Sequence, residues 1–203
     1  MCRTDEELVA RSAAGDVDSF SQLVVRWERP IYSLAYRVLG REEDARDVSQ
    51  ETFLRAFRAV KGFKGEAKFS SWLYRIALNL CRDWMRRERR VGSLHGVADG
   101  AGFDFDAFDT GEESVEDFVV RRDLSRVVAR AMAALPPEQR TAIVLKEYHG
   151  LTFQEIADLQ GCPLSTVKTR LYQGLTVLRR HLDRTGVGEP MPVRNVLPYS
   201  IKE

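Results

Sequence analysis

Lys168, Thr169 and Tyr172 stand close together near the start of an apolar-periodic run, STVKTRLYQGLTVLRRHL, that begins at about Ser165. Wound at 100° per residue, Val167, Leu171, Leu175, Leu178 and Leu182 share one face, and Ser165, Lys168, Thr169 and Tyr172 share the opposite one. An ammonium group, hydroxyls and a phenol at the start of a helix can hydrogen-bond base edges in the DNA major groove. Thr166, Arg170 and Gln173 flank them where phosphates would pass, and the helix N-terminus adds positive potential. Just upstream, Thr152 with Glu155 fits a capping box that opens a short helix from Phe153 to Leu159. Gly161-Cys162-Pro163 then makes a tight turn, so 151–182 reads as a helix-turn-helix. The plain alternative is a helical hairpin; the polar outer face and a charge of +4 over 165–184 (Lys168, Arg170, Arg179, Arg180 and Arg184 against Asp183) weigh against it.

A second constellation lies in FSSWLYRIALNLCRDWMRRERR, residues 69–90. Leu73, Ile76, Ala77, Leu80 and Trp84 gather on one helical face, and Arg75, Asn79, Arg82, Arg86 and Arg89 form a stripe on the other. Six arginines against Asp83 and Glu88 leave +4 between Trp72 and Arg90. Ordinary solvated helices alternate their charges, so a self-repelling edge points to an anionic partner such as a phosphate backbone. The preceding loop, KGFKGEAKFSS, alternates Lys61, Lys64 and Lys68 with Phe63 and Phe69. Rings on which bases stack, interleaved with ammonium groups that meet phosphates, suit single-stranded nucleic acid. The other reading is that both phenylalanines tuck into the helix pair.

A third surface is of opposite sign. In REEDARDVSQETFLRAFRAV, residues 41–60, Val48, Thr52, Phe53, Ala56, Phe57 and Val60 make a broad buried side. Asp47, Glu51, Leu54 and Arg58 fall opposite. An apolar Leu54 beside two acids suits a partner helix that carries basic and apolar side chains, although a lone exposed leucine also occurs without function.

The elements that hold these surfaces read as helices throughout, hence an all-α chain. Residues 5–39 read as helix, with acids in the first turn, Pro30 as a kink or a new start, and Gly40 as the stop. Glu112–Leu135 and Glu138–Tyr148 are two further helices separated by Pro136-Pro137, and His149 is a helix-end residue. Residues 91–124 are glycine-rich and carry a net −7, the composition of a linker. Phe103, Phe105 and Phe108 among its acids would suit a basic channel of a partner or a fold-back onto the chain's own basic helices. The tail, 185–203, is rich in Gly and Pro. The organisation expected is therefore a helical domain over 1–90, a flexible acidic linker over 91–117, a helix-turn-helix domain over 118–184 and a tail over 185–203.

Composition bounds the chemistry. Net charge is only +1, so the segregation of charge matters more than its sum. Cys2, Cys81 and Cys162 are odd in number and far apart, which argues against a zinc site or a disulfide framework. No uncharged run is long enough to span a bilayer, and acids stand where a signal peptide would be apolar, so a reduced, cytoplasmic protein without membrane insertion is expected. No paired carboxylates, nucleophile–base set or glycine-rich phosphate cradle supports an enzyme, and no cofactor is implied. A stand-alone helix-turn-helix regulator would explain 151–182 but not the acidic face or the Lys/Phe loop. A protein-only scaffold would leave the arginines unexplained.

DVSQETFLRAF at 47–57, FSSWLYRIALNLCRDWMRR at 69–87, LPPEQRTAIVLKEYHGLTFQEIAD at 135–158 and STVKTRLYQGLTVLRR at 165–180 together resemble the extracytoplasmic-function (ECF) sigma factors of bacterial RNA polymerase, in order and separation. The resemblance covers roughly 5–183. It implies an alternative sigma factor that binds core RNA polymerase and directs promoter-specific transcription initiation. Asp47, Gln50, Glu51 and Leu54 would dock on the clamp helices of the largest polymerase subunit. Phe63, Lys64, Trp72, Arg75 and Asn79 would melt and read the minus-ten element as single strand, on the same basic face as Arg82 and Arg86. Lys168, Thr169 and Tyr172, with Ser165, would read the minus-thirty-five duplex, with Thr166 and Arg170 on its backbone. An anti-sigma factor is the expected regulator, and the polymerase does the chemistry. Two departures from the family pattern are Gln173-Gly174, which interrupts the basic continuation of the recognition helix, and the long tail.

Overall fold

The computed structural model describes residues 3–65, 67–91 and 125–184, and of 89–91 the backbone alone. All regular elements among the described residues are helical. They form two compact units: residues 3–91 with 157–162, and residues 125–156 with 163–184. The expectations for the linker, for the helix before residue 125, for Arg89 and for the tail lie outside the described residues.

The helices before the acidic stretch of the chain are α1 (Asp5–Ala13), α2 (Val17–Leu39), α3 (Glu42–Ala59) and α4 (Phe69–Val91). The helical run expected over 5–39, with a kink or new start at Pro30, breaks instead between Ala13 and Val17. Gly15 takes φ 103°, and Asp16 caps α2 through Oδ1, which accepts from the Ser19 N–H at 3.1 Å. A glycine free to turn left-handed and a capping carboxylate beside it end one helix and begin the next. Thr4 and Glu7 cap α1 reciprocally. Asp5 ties α1 to α2 by accepting from Trp27 Nε1 at 2.9 Å and pairing with Arg26.

Pro30, by contrast, neither stops nor restarts α2, which is a single helix through it. The proline forfeits one backbone hydrogen bond. The apolar face nevertheless runs on from Phe20 and Leu23 to Ile31, Leu34 and Val38, all buried, and that packing outweighs the local loss. Gly40 ends the helix at φ 82°, its N–H donating to Tyr36 O at 2.8 Å.

α3 buries small side chains: Ala45, Ser49, Thr52 and Ala56, with Val48. Phe57, expected to point inward, is 46% exposed. One residue past Ala56 is a rotation of about 100°, which carries the ring to the rim of the small-residue stripe. It meets Phe20 edge-on there, at 5.0 Å between centroids. The core face of α4 is also rotated from the expected one. Leu73, Ala77 and Leu80 are buried as read, but Tyr74, Leu78 and Cys81 join them, while Ile76 and Trp84 are only half-buried. Tyr74 stands edge-on to Trp27 at 5.8 Å. Each fully buried leucine here contributes about 1.5–3 kcal/mol.

The helices after the acidic stretch of the chain are a helix over 125–133 (α5), α6 (Pro137–Ile143), α7 (Phe153–Gln160) and α8 (Leu164–Arg184). Pro137 takes the first position of α6, where its missing N–H costs nothing. The helix expected through Tyr148 widens over Val144–Tyr148 into a π-helical turn, within which Val144 and Leu145 are both buried. His149 is the C-cap, as expected for a helix-end residue, and Gly150 follows at φ 64°.

Gln173-Gly174 does not interrupt α8, which is one helix to Arg184. Gly174 faces α6, where a Cβ would stand 2.9 Å from Ile143 Cδ1 and 3.3 Å from Gln139 Cβ. It is the point of close approach between the two helices.

Candidate nucleic-acid and polymerase interfaces

The outer face of α3 carries Asp47, Gln50 and Leu54 exposed, the leucine at 44%, with Glu51 part-exposed between them. This matches the face read from the sequence. One feature escaped that reading: Glu51 Oε1 accepts from Arg55 Nε at 2.7 Å. The pair is i,i+4 on an exposed surface and holds Glu51 only weakly, at about 0–1 kcal/mol. The carboxylate remains available to an incoming cation.

Between α3 and α4, the turn Val60–Gly62 delivers Phe63, whose N–H donates to Val60 O at 3.1 Å. Phe63, Phe69 and Trp72 form an aromatic cluster with centroid separations of 5.1 Å (Phe63–Trp72), 5.7 Å (Phe69–Trp72) and 6.3 Å (Phe63–Phe69). The two phenylalanines of the loop part company here. Phe69 is 2% exposed and belongs to the core, so it cannot stack a base. Phe63 and Trp72 are half-buried, with part of each ring facing solvent, while Lys61, Lys64 and Lys68 are exposed around them.

Along α4, Arg75, Asn79 and Arg86 are exposed and Arg82 is half-buried. Arg82 Nη1 donates to Asn79 Oδ1 at 3.0 Å, which fixes the amide's oxygen toward arginine and leaves its NH2 outward. Of the two acids on this helix, one offsets the stripe and the other pairs with a cation outside it. Asp83 lies 3.8 Å from Arg86, and Glu88 pairs at 3.3 Å with Arg41, whose guanidinium also lies 6.0 Å from the Trp84 ring centre.

In the second unit the capping box forms as read: the Thr152 N–H donates to Glu155 Oε2 at 2.8 Å, and the Glu155 N–H to Thr152 Oγ1 at 3.2 Å. Gly161 turns the chain at φ 64°, the Cys162 N–H closes α7 on Ala157 O at 3.1 Å, and Pro163 O accepts from Thr166 and Val167 to start α8. Val167 and Leu171 are buried, whereas Leu175, Leu178 and Leu182 are half-buried toward the far end. Ser165, Lys168, Thr169 and Tyr172 are exposed, the tyrosine at 60%, and Thr166 and Arg170 are half-buried beside them. Thr169 spends its hydroxyl hydrogen on Ser165 O at 2.9 Å and so faces outward as an acceptor.

Sequence reasoning missed Lys146 and Phe153. The Phe153 ring has Lys146 Nζ 5.0 Å and Lys168 Nζ 5.7 Å from its centre. Lys146 precedes the ring by seven residues and Lys168 follows it by fifteen, across the Gly161 turn, and no helical periodicity links the three.

Both described cysteines are thiols, outside any disulfide. Cys81 is buried, which pushes its pKa up to about 12, and Cys162 is half-buried in the turn. Among the described residues no group of His, Cys, Asp and Glu is placed to hold a metal ion, and no helix is long and apolar enough to cross a membrane.

Two family models match the chain: Sigma-70 region 2 over residues 23–91 and Sigma-70 region 4 over 125–178. The RNA polymerase sigma-H factor of Pseudomonas aeruginosa is 33% identical over 180 residues, covering 88% of this chain and 93% of that one. The ECF RNA polymerase sigma-E factor of Escherichia coli K12 is 35% identical over 175 residues, covering 84% and 90%. The chain belongs to the ECF sigma factors. Region 2 thus spans most of α2 with α3 and α4, and region 4 spans α5 to most of α8; α1 precedes the first match. Among solved structures, CnrH in complex with the cytosolic domain of CnrY aligns at TM-score 0.62 with 27% identity, covering 89% of this chain and 97% of that one. The sigma factor RpoE of Bartonella quintana, solved with the anti-sigma factor NepR, has the same fold at TM-score 0.64 and 20% identity, covering 81% and 96%. The protein is therefore an alternative sigma factor, which directs transcription initiation by RNA polymerase.

Proposed function

We propose that this sigma factor divides its work among three surfaces. Asp47, Gln50, Glu51 and Leu54 on α3 dock on the clamp helices of the largest polymerase subunit. Phe63, Lys64, Trp72, Arg75, Asn79, Arg82 and Arg86 open and read the minus-ten element as single strand. Ser165, Lys168, Thr169 and Tyr172 read the minus-thirty-five duplex, with Thr166 and Arg170 on its phosphates. The observation that carries the reading is the N-terminal end of α8. Its exposed side chains are hydrogen-bonding groups and a cation, while its opposite face is buried in a helix-turn-helix. Support for the minus-ten surface comes from half-buried Phe63 and Trp72 beside exposed lysines, which offer a stacking platform in a positive field.

The chain itself is not an enzyme in this reading; it supplies promoter choice and strand opening in the cytoplasm, where the polymerase works. An anti-sigma factor regulates it. The likeness to CnrH, solved with the cytosolic domain of another protein, supports a protein partner of that kind.

The test is run-off transcription with bacterial core polymerase, the purified chain and the promoter region upstream of its own gene. Specific initiation that Glu51→Arg abolishes and Lys168→Ala weakens is the expected result. Unchanged initiation with both variants would overturn the surface assignments.

A further inference from the structure

Phe153 opens α7, directly after the capping threonine. Its ring carries two ammonium groups, but the two are held differently. Lys146 has a second anchor, donating to Leu151 O at 3.2 Å. Lys168 has none: among the described residues no carboxylate pairs with it and no oxygen accepts from it. Its exposed ammonium group, one turn into α8, is oriented by the ring alone.

An exposed lysine has three rotatable donors on a flexible stem, and ordering that stem on binding is a cost that pre-orientation removes. The negative face of a ring attracts a cation weakly enough to release it to a stronger acceptor, such as a guanine edge. With Lys146 tethered, Lys168 is the group able to transfer. We propose that Phe153 is a positioning residue for promoter recognition: its ring holds the Lys168 ammonium near its working place before DNA arrives, and so sharpens selection at the base that Lys168 reads. This rests on the assignment of Lys168 to the minus-thirty-five duplex.

The experiment uses holoenzyme reconstituted from core polymerase and the full chain. The probe is a duplex library with the minus-thirty-five element randomised above a constant minus-ten element, and bound duplexes are sequenced. Lys168→Ala should flatten selection at one or two adjacent positions. Phe153→Leu should weaken selection at those same positions by about two- to fivefold, the range of an exposed cation–ring contact. Phe153→Tyr should keep it, and the double variant should be no worse than Lys168→Ala alone. A loss spread evenly over all positions with Phe153→Leu, or one that adds in full to that of Lys168→Ala, would show a merely structural role and overturn the proposal. If Lys168→Ala alters no position, the assignment of Lys168 fails first and takes this inference with it. Should Phe153→Leu not fold, fluorinated phenylalanines at 153 keep the shape of the ring while draining charge from its face. Selection at the Lys168 position should then fall stepwise with fluorine number, and a flat response would overturn the proposal.

Discussion

Gly174 of α8 lies against Ile143 of α6, so close that a Cβ on the glycine would stand 2.9 Å from Ile143 Cδ1. The contact seats α8 directly on α6. Gln139 Nε2 donates to Gln173 Oε1 at 3.4 Å next to it.

Replacing Gly174 therefore sets two effects against each other. Alanine gains about 1 kcal/mol of helix propensity, while the tip of buried Ile143 must turn aside and the Gln139 Cβ must yield slightly. Gly174→Ala is expected to leave the thermal midpoint nearly unchanged. Gly174→Leu adds volume that no rotamer shift accommodates and should destabilise by about 1–3 kcal/mol. Thermal unfolding followed by circular dichroism checks both. A large stabilisation by leucine would contradict the close approach.

Phe63 and Phe69 alternate with the same lysines but should fail in different ways. Phe69→Ala empties a core site and should cost about 3–5 kcal/mol of stability. Phe63→Ala removes a half-buried ring at the rim of the cluster and should fold, yet slow strand opening. Permanganate reactivity of minus-ten thymines in the promoter complex is the readout. Equal opening by wild type and Phe63→Ala would remove Phe63 from the reading surface.

Glu51→Arg should leave the fold intact, because its bond to Arg55 is exposed and worth at most about 1 kcal/mol. Binding to core polymerase should fall at least about tenfold if Glu51 meets a cation there, the loss expected when a paired interface charge is reversed. Competition between labelled wild type and the variant for core polymerase measures this. Equal affinity would exclude Glu51 from the docking face.

Asp16 gives a pH-dependent prediction. The Ser19 N–H, the Ser19 hydroxyl and the Arg11 guanidinium hold its carboxyl at about 2, below the ordinary 3.8. A folded-state pKa below the unfolded one means that the cap's contribution is full above about pH 4 and disappears as pH falls through about 2. Asp16→Ala should lower the thermal midpoint at neutral pH, and its gap from wild type should close between pH 4 and 2. A constant gap across that range would contradict the role of the charged cap.

The helical class, the capping box at Thr152, the turn at Gly161 and the exposed outer face of α3 were all legible in the amino-acid sequence. Each depends on neighbours within a few residues: a cap and its third position, a glycine at positive φ, or apolar side chains every three or four places. The same local signals misjudged particular residues. Phe57 sits at the rim because small side chains let α3 pack closely, and that depends on what α2 presents to it. Pro30 stays inside α2 because long-range burial outweighs a lost backbone bond. Gly174 looks like a helix breaker and is a packing contact, a distinction only α6 makes. Phe153 meets Lys168 only because the Gly161 turn folds α8 back on α7. Sequence alone determined which surfaces this sigma factor presents, since charge and periodicity are local properties. Tertiary structure decided which side chains on them are free to act, since burial and side-chain pairing depend on residues distant in the chain.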